Sequence, residues 1–183
     1  MFPQTRQEGN VAGGHIAGRD VNITTHTAPH NYIDQLYESL KHEVNNSTPQ
    51  EFIEQLQHFM ASPPSQLSRS LADKLSDTNR QDIVETAELA KERAAKKIMR
   101  FQTSSAAQEI FAHILGELHT KYVQHVRPLI EAEATRLEID AAFEEKVVAP
   151  VAQSMRPSTL GLSADVVHAF LFFLAGSCHV RWD

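Results

Sequence analysis

From Tyr32 onward, apolar residues recur every three or four positions, the spacing that places them on one face of an α-helix. In the segment YIDQLYESLKHEV they form one continuous stripe of Ile33, Leu36, Tyr37, Leu40 and Val44. Similar stripes follow to the end of the chain, separated by prolines, glycines and short polar runs. The sequence therefore predicts a mainly α fold, a helical bundle.

Helix starts are predicted where Ser or Thr precedes Glu or Gln by three residues, because such a pair satisfies two free backbone N–H groups. By this pattern and by related N-cap signals we expect helix starts at Thr48, Thr78, Ser105, Thr135 and Ser163. Pro128 is predicted to kink or interrupt its helix. Residues 164–176, ADVVHAFLFFLAG, are apolar around most of the circumference and predict a buried central helix that ends at Gly176.

The prolines also predict how the chain divides. Pro63 and Pro64 cannot lie inside a helix, so residues 63–78 are predicted to form a linker or a weak helix. This segment separates a predicted helical hairpin at 29–62 from a helical C-terminal domain at 79–183. Residues 1–28 are of another kind, with glycines, polar residues and isolated aliphatic residues.

The glycine-rich stretch GNVAGGHIAGRDVNITT fits neither common nucleotide-binding loop. It lacks the Lys-Ser or Lys-Thr of a phosphate-binding loop, and no helix follows it as a dinucleotide fingerprint requires. Instead Val11, Ile16 and Val21 recur every five residues, which fits short strand–turn steps with one inward aliphatic residue each. So few steps cannot enclose a core of their own. The segment is therefore either disordered or completed by other copies or by a partner.

We expect the second of these and predict that residues 1–28 are a short glycine-rich β segment, a pentad repeat, that mediates homo-oligomer assembly. The residues expected to carry this assembly are Val11, Gly13, Gly14, Ile16, Gly18, Asp20 and Val21.

Charge and targeting signals narrow the class of protein. The net charge of the 183 residues is −6, which argues against a dedicated nucleic-acid binder. The start MFPQTRQEGN lacks the features of a signal peptide, and VVHAFLFFLAG is far shorter than the roughly 20 residues that span a bilayer. Cys178 is the one cysteine and cannot form an internal disulfide. These features predict a cytoplasmic protein that does not enter a membrane.

The histidines and the cysteine do not form a recognisable reactive pattern. His113, His119 and His125 are six residues apart, so successive side chains on one straight helix point about 120° apart and cannot converge on one ion. Cys178 and His179 are adjacent and point to opposite faces of an extended tail, a poor arrangement for a nucleophile and its base. We therefore expect no enzyme, no cofactor and no metal site.

One basic cluster is present, and its interpretation stays open between a solvated helix face and a surface for phosphates or an acidic partner. It consists of Lys91, Arg93, Lys96, Lys97 and Arg100. Its expected counterpart, either within the chain or between chains, is an acidic set made by Glu131, Glu133, Glu138, Asp140, Glu144 and Glu145.

Four stretches in the second half carry a family resemblance: IMRFQTSSAAQEIFAHIL, HVRPLIEAEATRLEID, AAFEEKVVAPV and the ending LGLSADVVHAFLFFLAGSCHVRWD. They resemble the C-terminal domain of proteins in bacterial ABC-three-component systems, which are conflict or antiphage systems. The resemblance covers about residues 95–183, and its most specific motif is the terminal GSCHVRWD. AGGHIAGRDV is similar to segments that often precede such domains.

The resemblance implies an adaptor role, in which an ABC-class ATPase is joined to an effector. Together with the pentad repeat and the lack of a reactive pattern, it predicts a non-catalytic, oligomerising adaptor or regulator. Upstream of residue 95 no effector is recognisable, so we expect the effector to be a separate polypeptide or regulation to occur by assembly alone. Cys178, His179 and Trp182 are expected to dock the C-terminus into the body or onto a neighbouring copy. The alternative is a small DNA-binding or DNA-sensing subunit that uses the basic face Lys91–Arg100, since the ATPase partners belong to a class that often handles DNA.

Overall fold

The computed structural model describes residues 32–43, 51–61 and 69–183. In these residues the chain forms helices and no strand, which confirms the mainly α prediction. The predicted β segment at 1–28, with every assembly residue from Val11 to Val21, lies outside the described residues. The first four helices are α1, Tyr32–His42, α2, Glu54–Met60, α3, Leu71–Asp77, and α4, Val84–Arg100, which follows a 3₁₀ turn at Gln81–Ile83.

Two further helices each consist of three successive parts. Helix α5 runs through Ser105–Lys121, a π-helical turn at Tyr122–Val126, and Arg127–Glu131. Helix α6 runs through Arg136–Ala142, a π-helical turn at Phe143–Val148, and Ala149–Ser154. The last helix, α7, is Ala164–Gly176, and residues 177–183 follow it as a C-terminal tail.

Each π-helical turn, in α5 and in α6, ends two residues before a proline. The backbone N–H groups of Arg127 and Ala149 each donate to the carbonyl oxygen five residues back. Proline lacks this donor, and in a regular α-helix its ring clashes with the carbonyl four residues back. The wider π-helical turn accommodates Pro128 and Pro150 without ending either helix. Of the predicted kink or interruption at Pro128, the interruption does not occur, because α5 continues through the π-helical turn to Glu131.

The helix starts follow the predicted capping pattern in part. Thr135 caps α6 as predicted, since its hydroxyl accepts the Glu138 backbone N–H and the Glu138 carboxylate accepts the Thr135 backbone N–H. Thr78 is not an N-cap, because its hydroxyl donates to carbonyls in the last turn of α3. Helix α5 is capped by Ser104 rather than by Ser105, through a bond of 3.0 Å from a first-turn N–H.

Helix α2 begins at Glu54, later than a start near Thr48 predicts, and Thr48 itself lies outside the described residues. The backbone N–H of Ile53 donates to Gln108 Oε1 at 2.8 Å. Gln108 is a buried residue of α5, so a side chain of the central bundle satisfies the backbone at the entrance to α2. Sequence patterns within 29–62 contain no sign of this long-range bond.

The core lies around α7, which packs along α4 and also contacts α3, α5 and α6. Its buried residues include Val167, Phe170 and Leu174, so the predicted buried central helix is confirmed. Ser163 lies at the N-cap of α7, but its side chain makes no capping bond. Helices α1 and α2 pack on the outer side of α5. Within the described ranges, each helix is too short or too polar to cross a bilayer.

Candidate functional site

The C-terminal tail folds back onto the end of α7. The backbone N–H of Cys178 donates to Ala175 O at 3.2 Å, and that of His179 donates to Leu174 O at 2.8 Å. These two bonds are the Schellman arrangement, which needs a left-handed residue just after the helix. Cys178 occupies that position with φ 65°, where glycine is usual. The turn directs the rest of the tail back across the bundle.

Lys74 of α3 holds this turn from beneath. Its Nζ donates to Ala175 O at 2.7 Å and lies 3.0 Å from Cys178 Sγ. Both side chains are buried, with Lys74 5% and Cys178 6% exposed. The contact therefore joins α3 to the tail in the interior of the domain.

His179 connects the tail to α2. Its Nε2 lies 3.0 Å from His58 O and 3.0 Å from Ala61 O, and since carbonyls only accept, Nε2 carries the hydrogen. The last carbonyls of a helix have no partner within it, so His179 satisfies groups that α2 leaves free. The ring of His119 lies 6.0 Å from that of His179. Burial, and then the neighbouring imidazoles, lowers the pKa of His119, and burial lowers that of His179.

Trp182 ends the tail in an aromatic cluster. Its ring lies 5.0 Å from Phe143 and 6.1 Å from Phe172, and it is 6% exposed. Phe143 in turn stacks on Tyr122 at 6.0 Å, so the two π-helical turns meet beneath the tryptophan. The final residue, Asp183, pairs with Arg69 at 2.6 Å. The tail thus contacts the body of its own chain through Cys178, His179 and Trp182.

The second candidate surface is a groove between α4 and α7, which we name the basic groove. It is a cavity of about 260 Å³ with four cationic side chains, those of Arg93, Lys96, Lys97 and Arg100. The apolar part of its lining comes from Ala94, Val166 and Ala169. The structure therefore brings four of the five residues of the predicted basic face to one place.

The positive charge of the basic groove is only partly neutralised. Lys97 Nζ donates to the carbonyl oxygens of Leu160 at 2.6 Å and Gly161 at 3.4 Å, which carry no net charge. Its pKa is lowered by burial and by the nearby charges of Arg100 and Arg93. Among the described residues, only Lys96 of this set forms an ion pair, with Glu92 at 2.7 Å.

The fifth residue of the predicted basic face, Lys91, lies elsewhere. Its side chain crosses Gly176 closely enough that a Cβ built there would lie 2.5 Å from Lys91 Cδ. Its ammonium group pairs with Glu88 on the same helix. Lys91 therefore covers the end of α7, where the absence of a side chain at Gly176 leaves room for the lysine.

The predicted acidic counterpart does not neutralise the groove. Asp140 pairs with the buried Arg80 at 2.7 Å and with Arg136 at 3.3 Å. Glu144 lies 2.7 Å from His168 Nε2, and Glu131 pairs with Arg127 at 2.8 Å. In the part of the chain that the structure describes, the other acidic residues of the set have no ion pair. Within the chain, the acidic set thus pairs with other cationic side chains, none of which lines the groove.

A family model for C-terminal domain 9 of the ABC-three component (ABC-3C) systems matches residues 70–182. The chain belongs to this family. ABC-three-component systems are antiphage systems, so this assignment places the chain in antiphage defence. The search of curated proteins gave no match, and neither did the search of solved structures.

The ABC-3C domain begins earlier than the resemblance from about residue 95 suggested. Its match starts at Ser70, which caps α3 through a reciprocal bond pair with Asp73. Helix α3 supplies Lys74, and the match ends at Trp182, so both partners of the tail contact lie within it. In the described residues no three side chains of His, Cys, Asp or Glu come together as a metal site would require.

Sequence reasoning missed two buried polar residues of this domain. Lys74 and Arg80 are 5% and 2% exposed, although both residue types are usually at the surface. Their roles depend on partners more than 50 residues away in sequence, Cys178 and Asp140. The terminal motif GSCHVRWD drew attention to Cys178, but nothing in the sequence indicated that Lys74 is the residue it contacts.

Proposed function

We propose that this chain is a non-catalytic, oligomerising adaptor or regulator of an ABC-three-component antiphage system, in which it links an ABC-class ATPase to an effector protein. The observation that carries the proposal is the family match over residues 70–182, which spans α3 to the end of the tail. The named systems consist of several components, and we therefore expect the chain to act together with partner proteins. We expect it to do so in the cytoplasm.

The packing of the C-terminal tail supports an adaptor rather than a reactive role for its unusual residues. Cys178 and Trp182 are buried, and the His179 Nε2 hydrogen is already donated to two carbonyl oxygens of α2. These contacts join the helices on both sides of residues 62–68 into one bundle. A packed bundle presents its outer faces at defined positions, which is what a linking component needs.

The pentad repeat supplies the assembly part of the proposal. Val11, Ile16 and Val21 recur at intervals of five in a segment with too few steps to enclose them. Identical segments from several copies provide the missing steps when they stack. The bundle then projects from an assembled N-terminal core, and several copies bind their partners together with high avidity.

The assembly claim is tested in the full-length chain by placing an acid at each pentad aliphatic residue. We expect Val11→Asp, Ile16→Asp and Val21→Asp together to lower the mass measured by light scattering, because carboxylates oppose stacking of these positions. The matched control adds the same three acids at polar positions: Asn10→Asp, His15→Asp and Asn22→Asp. A mass that the aliphatic substitutions leave unchanged contradicts the claim.

The adaptor claim is tested with the partner proteins. We expect a tagged chain to retain both the ABC-class ATPase and the effector of its system, and the ATPase to lose the effector when the chain is omitted. Direct binding of ATPase to effector at undiminished strength without this chain contradicts the linking role. Phage protection by the pentad variants and by their matched control then shows whether assembly is needed for defence.

A DNA-binding subunit is the second candidate function, and the basic groove is the observation that favours it. Arg93, Lys96 and Arg100 are exposed on one face of α4, where phosphates have access to them. Binding through this face would weaken steeply with salt. We would then expect duplex DNA to bind at low salt and to be released by Lys96→Gln with Arg100→Gln; no binding at low salt removes this candidate.

A further inference from the structure

In the basic groove, Arg93, Lys97 and Arg100 have no carboxylate partner among the described residues. Four cationic side chains line it, and the only ion pair among them in the described residues joins Lys96 to Glu92 on the same exposed helix face. Such an exposed pair contributes little and exchanges readily with a competing carboxylate. Arg93 and Arg100 lie seven residues apart, about 10 Å along α4. The groove therefore offers a short row of positive charges beside an apolar floor.

The size of the groove identifies the kind of occupant. Its volume of about 260 Å³ lies below the usual range of small-molecule pockets. The floor of Ala94, Val166 and Ala169 suits an aliphatic side chain, which a phosphodiester backbone does not provide. The matching ligand is thus a protein segment with one exposed aliphatic residue flanked by carboxylates.

Such a segment is present in this chain, at the turn between α5 and α6. We name residues 131–138 the acidic corner. Leu137 is 79% exposed, the most exposed of the large apolar residues that the structure describes. Glu131, Glu133 and Glu138 surround it in sequence and are all exposed. Glu131 pairs with Arg127 and Glu138 accepts from Thr135, whereas Glu133 has no ion pair in the described residues. The exposed leucine and this acidic turn complement the floor and the charges of the groove.

The acidic corner cannot reach the groove of its own chain. Arg136, next to Leu137, donates to Asn79 O at 2.6 Å and pairs with Asp82 at 2.8 Å, which fixes the corner beside the start of α4. The groove begins at Arg93, eleven residues beyond Asp82, and ends at Arg100. That separation is about 17 to 27 Å along the helix axis. The two complementary surfaces thus lie near opposite ends of α4.

We propose that the acidic corner of one copy docks in the basic groove of the next copy. Leu137 then lies against the apolar floor, and the carboxylates of the corner lie against Arg93, Lys96 and Arg100. The contact joins two different surfaces, so it is heterologous and repeats from copy to copy into a ring or a filament. It lies within the family domain and does not depend on the pentad repeat.

Two full-length variants test the contact. The groove variant is Arg93→Gln with Arg100→Gln, and the corner variant is Glu133→Gln with Leu137→Ser. All chains, including the parent, also carry Val11→Asp, Ile16→Asp and Val21→Asp, so the self-association that is measured does not depend on the pentad repeat. By sedimentation velocity each variant alone should self-associate about tenfold more weakly or worse. The groove variant loses charge pairs, and the corner variant loses one carboxylate and the burial of one leucine.

Mixing the two variants provides the decisive measurement. The groove variant keeps an intact corner and the corner variant keeps an intact groove, so one contact forms and cannot propagate. We expect the mixture to form a dimer that neither variant forms alone and that weakens as salt is raised. A control variant, Lys41→Gln with Lys146→Gln, removes two exposed positive charges elsewhere and should associate as its parent does.

Three results overturn the proposal. The first is a parent chain that shows no self-association, or self-association that neither variant weakens. The second is a mixture that forms no dimer although both variants are folded by circular dichroism. The third is loss of binding to DNA or to the ATPase in the groove variant while self-association is unchanged, which assigns the groove to another anion.

Discussion

The C-terminal tail and the basic groove both adjoin α7, yet they use polar residues in opposite ways. In the tail, Lys74, His179 and Asp183 each have a partner in the same chain. In the groove, Arg93 and Arg100 have no carboxylate partner among the described residues, and repulsion between like charges is tolerated. Unusual residues in a terminal motif thus contact the body of the fold, whereas two cations of the basic helix face have no carboxylate partner in the described residues.

The largest change in the free energy of unfolding is expected for a substitution in the C-terminal tail. Trp182→Ala should lower the free energy of unfolding by about 3–5 kcal/mol, because a buried ring between Phe143 and Phe172 is removed. Urea unfolding followed by circular dichroism measures the change. Trp182→Phe keeps most of the packing and should cost clearly less. A loss below about 1 kcal/mol for Trp182→Ala means that the tail is not integral to the core.

Features set by local periodicity were the ones that sequence predicted well. The buried helix α7 and the capping pair of Thr135 with Glu138 follow from spacings within one element. The continuation of α5 through Pro128 was not predictable in this way, because the π-helical turn that permits it is stabilised by packing against the turn of α6. Local rules describe what proline forbids in a regular helix and not how a neighbouring helix allows an exception.

The candidate sites show the same division. The sequence identified the cationic residues of the groove, since helix periodicity places Arg93, Lys97 and Arg100 on one face. It also grouped Lys91 with them, although its position on the helix turns it toward Gly176. The partner of the tail, Lys74, was not predictable, because a contact over more than 100 residues depends on how the helices pack.

The pH dependence of the free energy of unfolding should reveal the histidines of the C-terminal tail region, with an effect smaller than that of Trp182→Ala. The pKa values of His119 and His179 lie below the unfolded value of about 6.5, so below that pH the unfolded state binds more protons. The free energy of unfolding should therefore fall as the pH drops from about 6.5 through the folded pKa values. The neighbouring His58 and Lys74 face the same cluster, and a charge on His179 would add to theirs.

His179→Gln tests the origin of this pH dependence. The glutamine amide can still donate to His58 O and Ala61 O but does not titrate. Urea unfolding of the variant between pH 8 and pH 5 should show a shallower decline than the parent chain. His125→Gln, which changes an exposed histidine, should decline as the parent does. Equal slopes for parent and His179→Gln would remove the tail from the explanation.

The smallest effect on stability is expected in the groove. Arg93→Gln with Arg100→Gln should change the free energy of unfolding by no more than about 0.5 kcal/mol, because both side chains are exposed and neither has an ion pair in the described residues. The direction of the change should be stabilising, since it removes repulsion of the charge on Lys97.

Lys97→Gln is the informative comparison. It should cost about 1–3 kcal/mol, because Leu160 O loses a charged donor at 2.6 Å. Urea unfolding of both variants decides the matter: a large loss for the arginine pair would make the groove, like the tail, part of what stabilises the fold, and would leave it no free charge with which to bind.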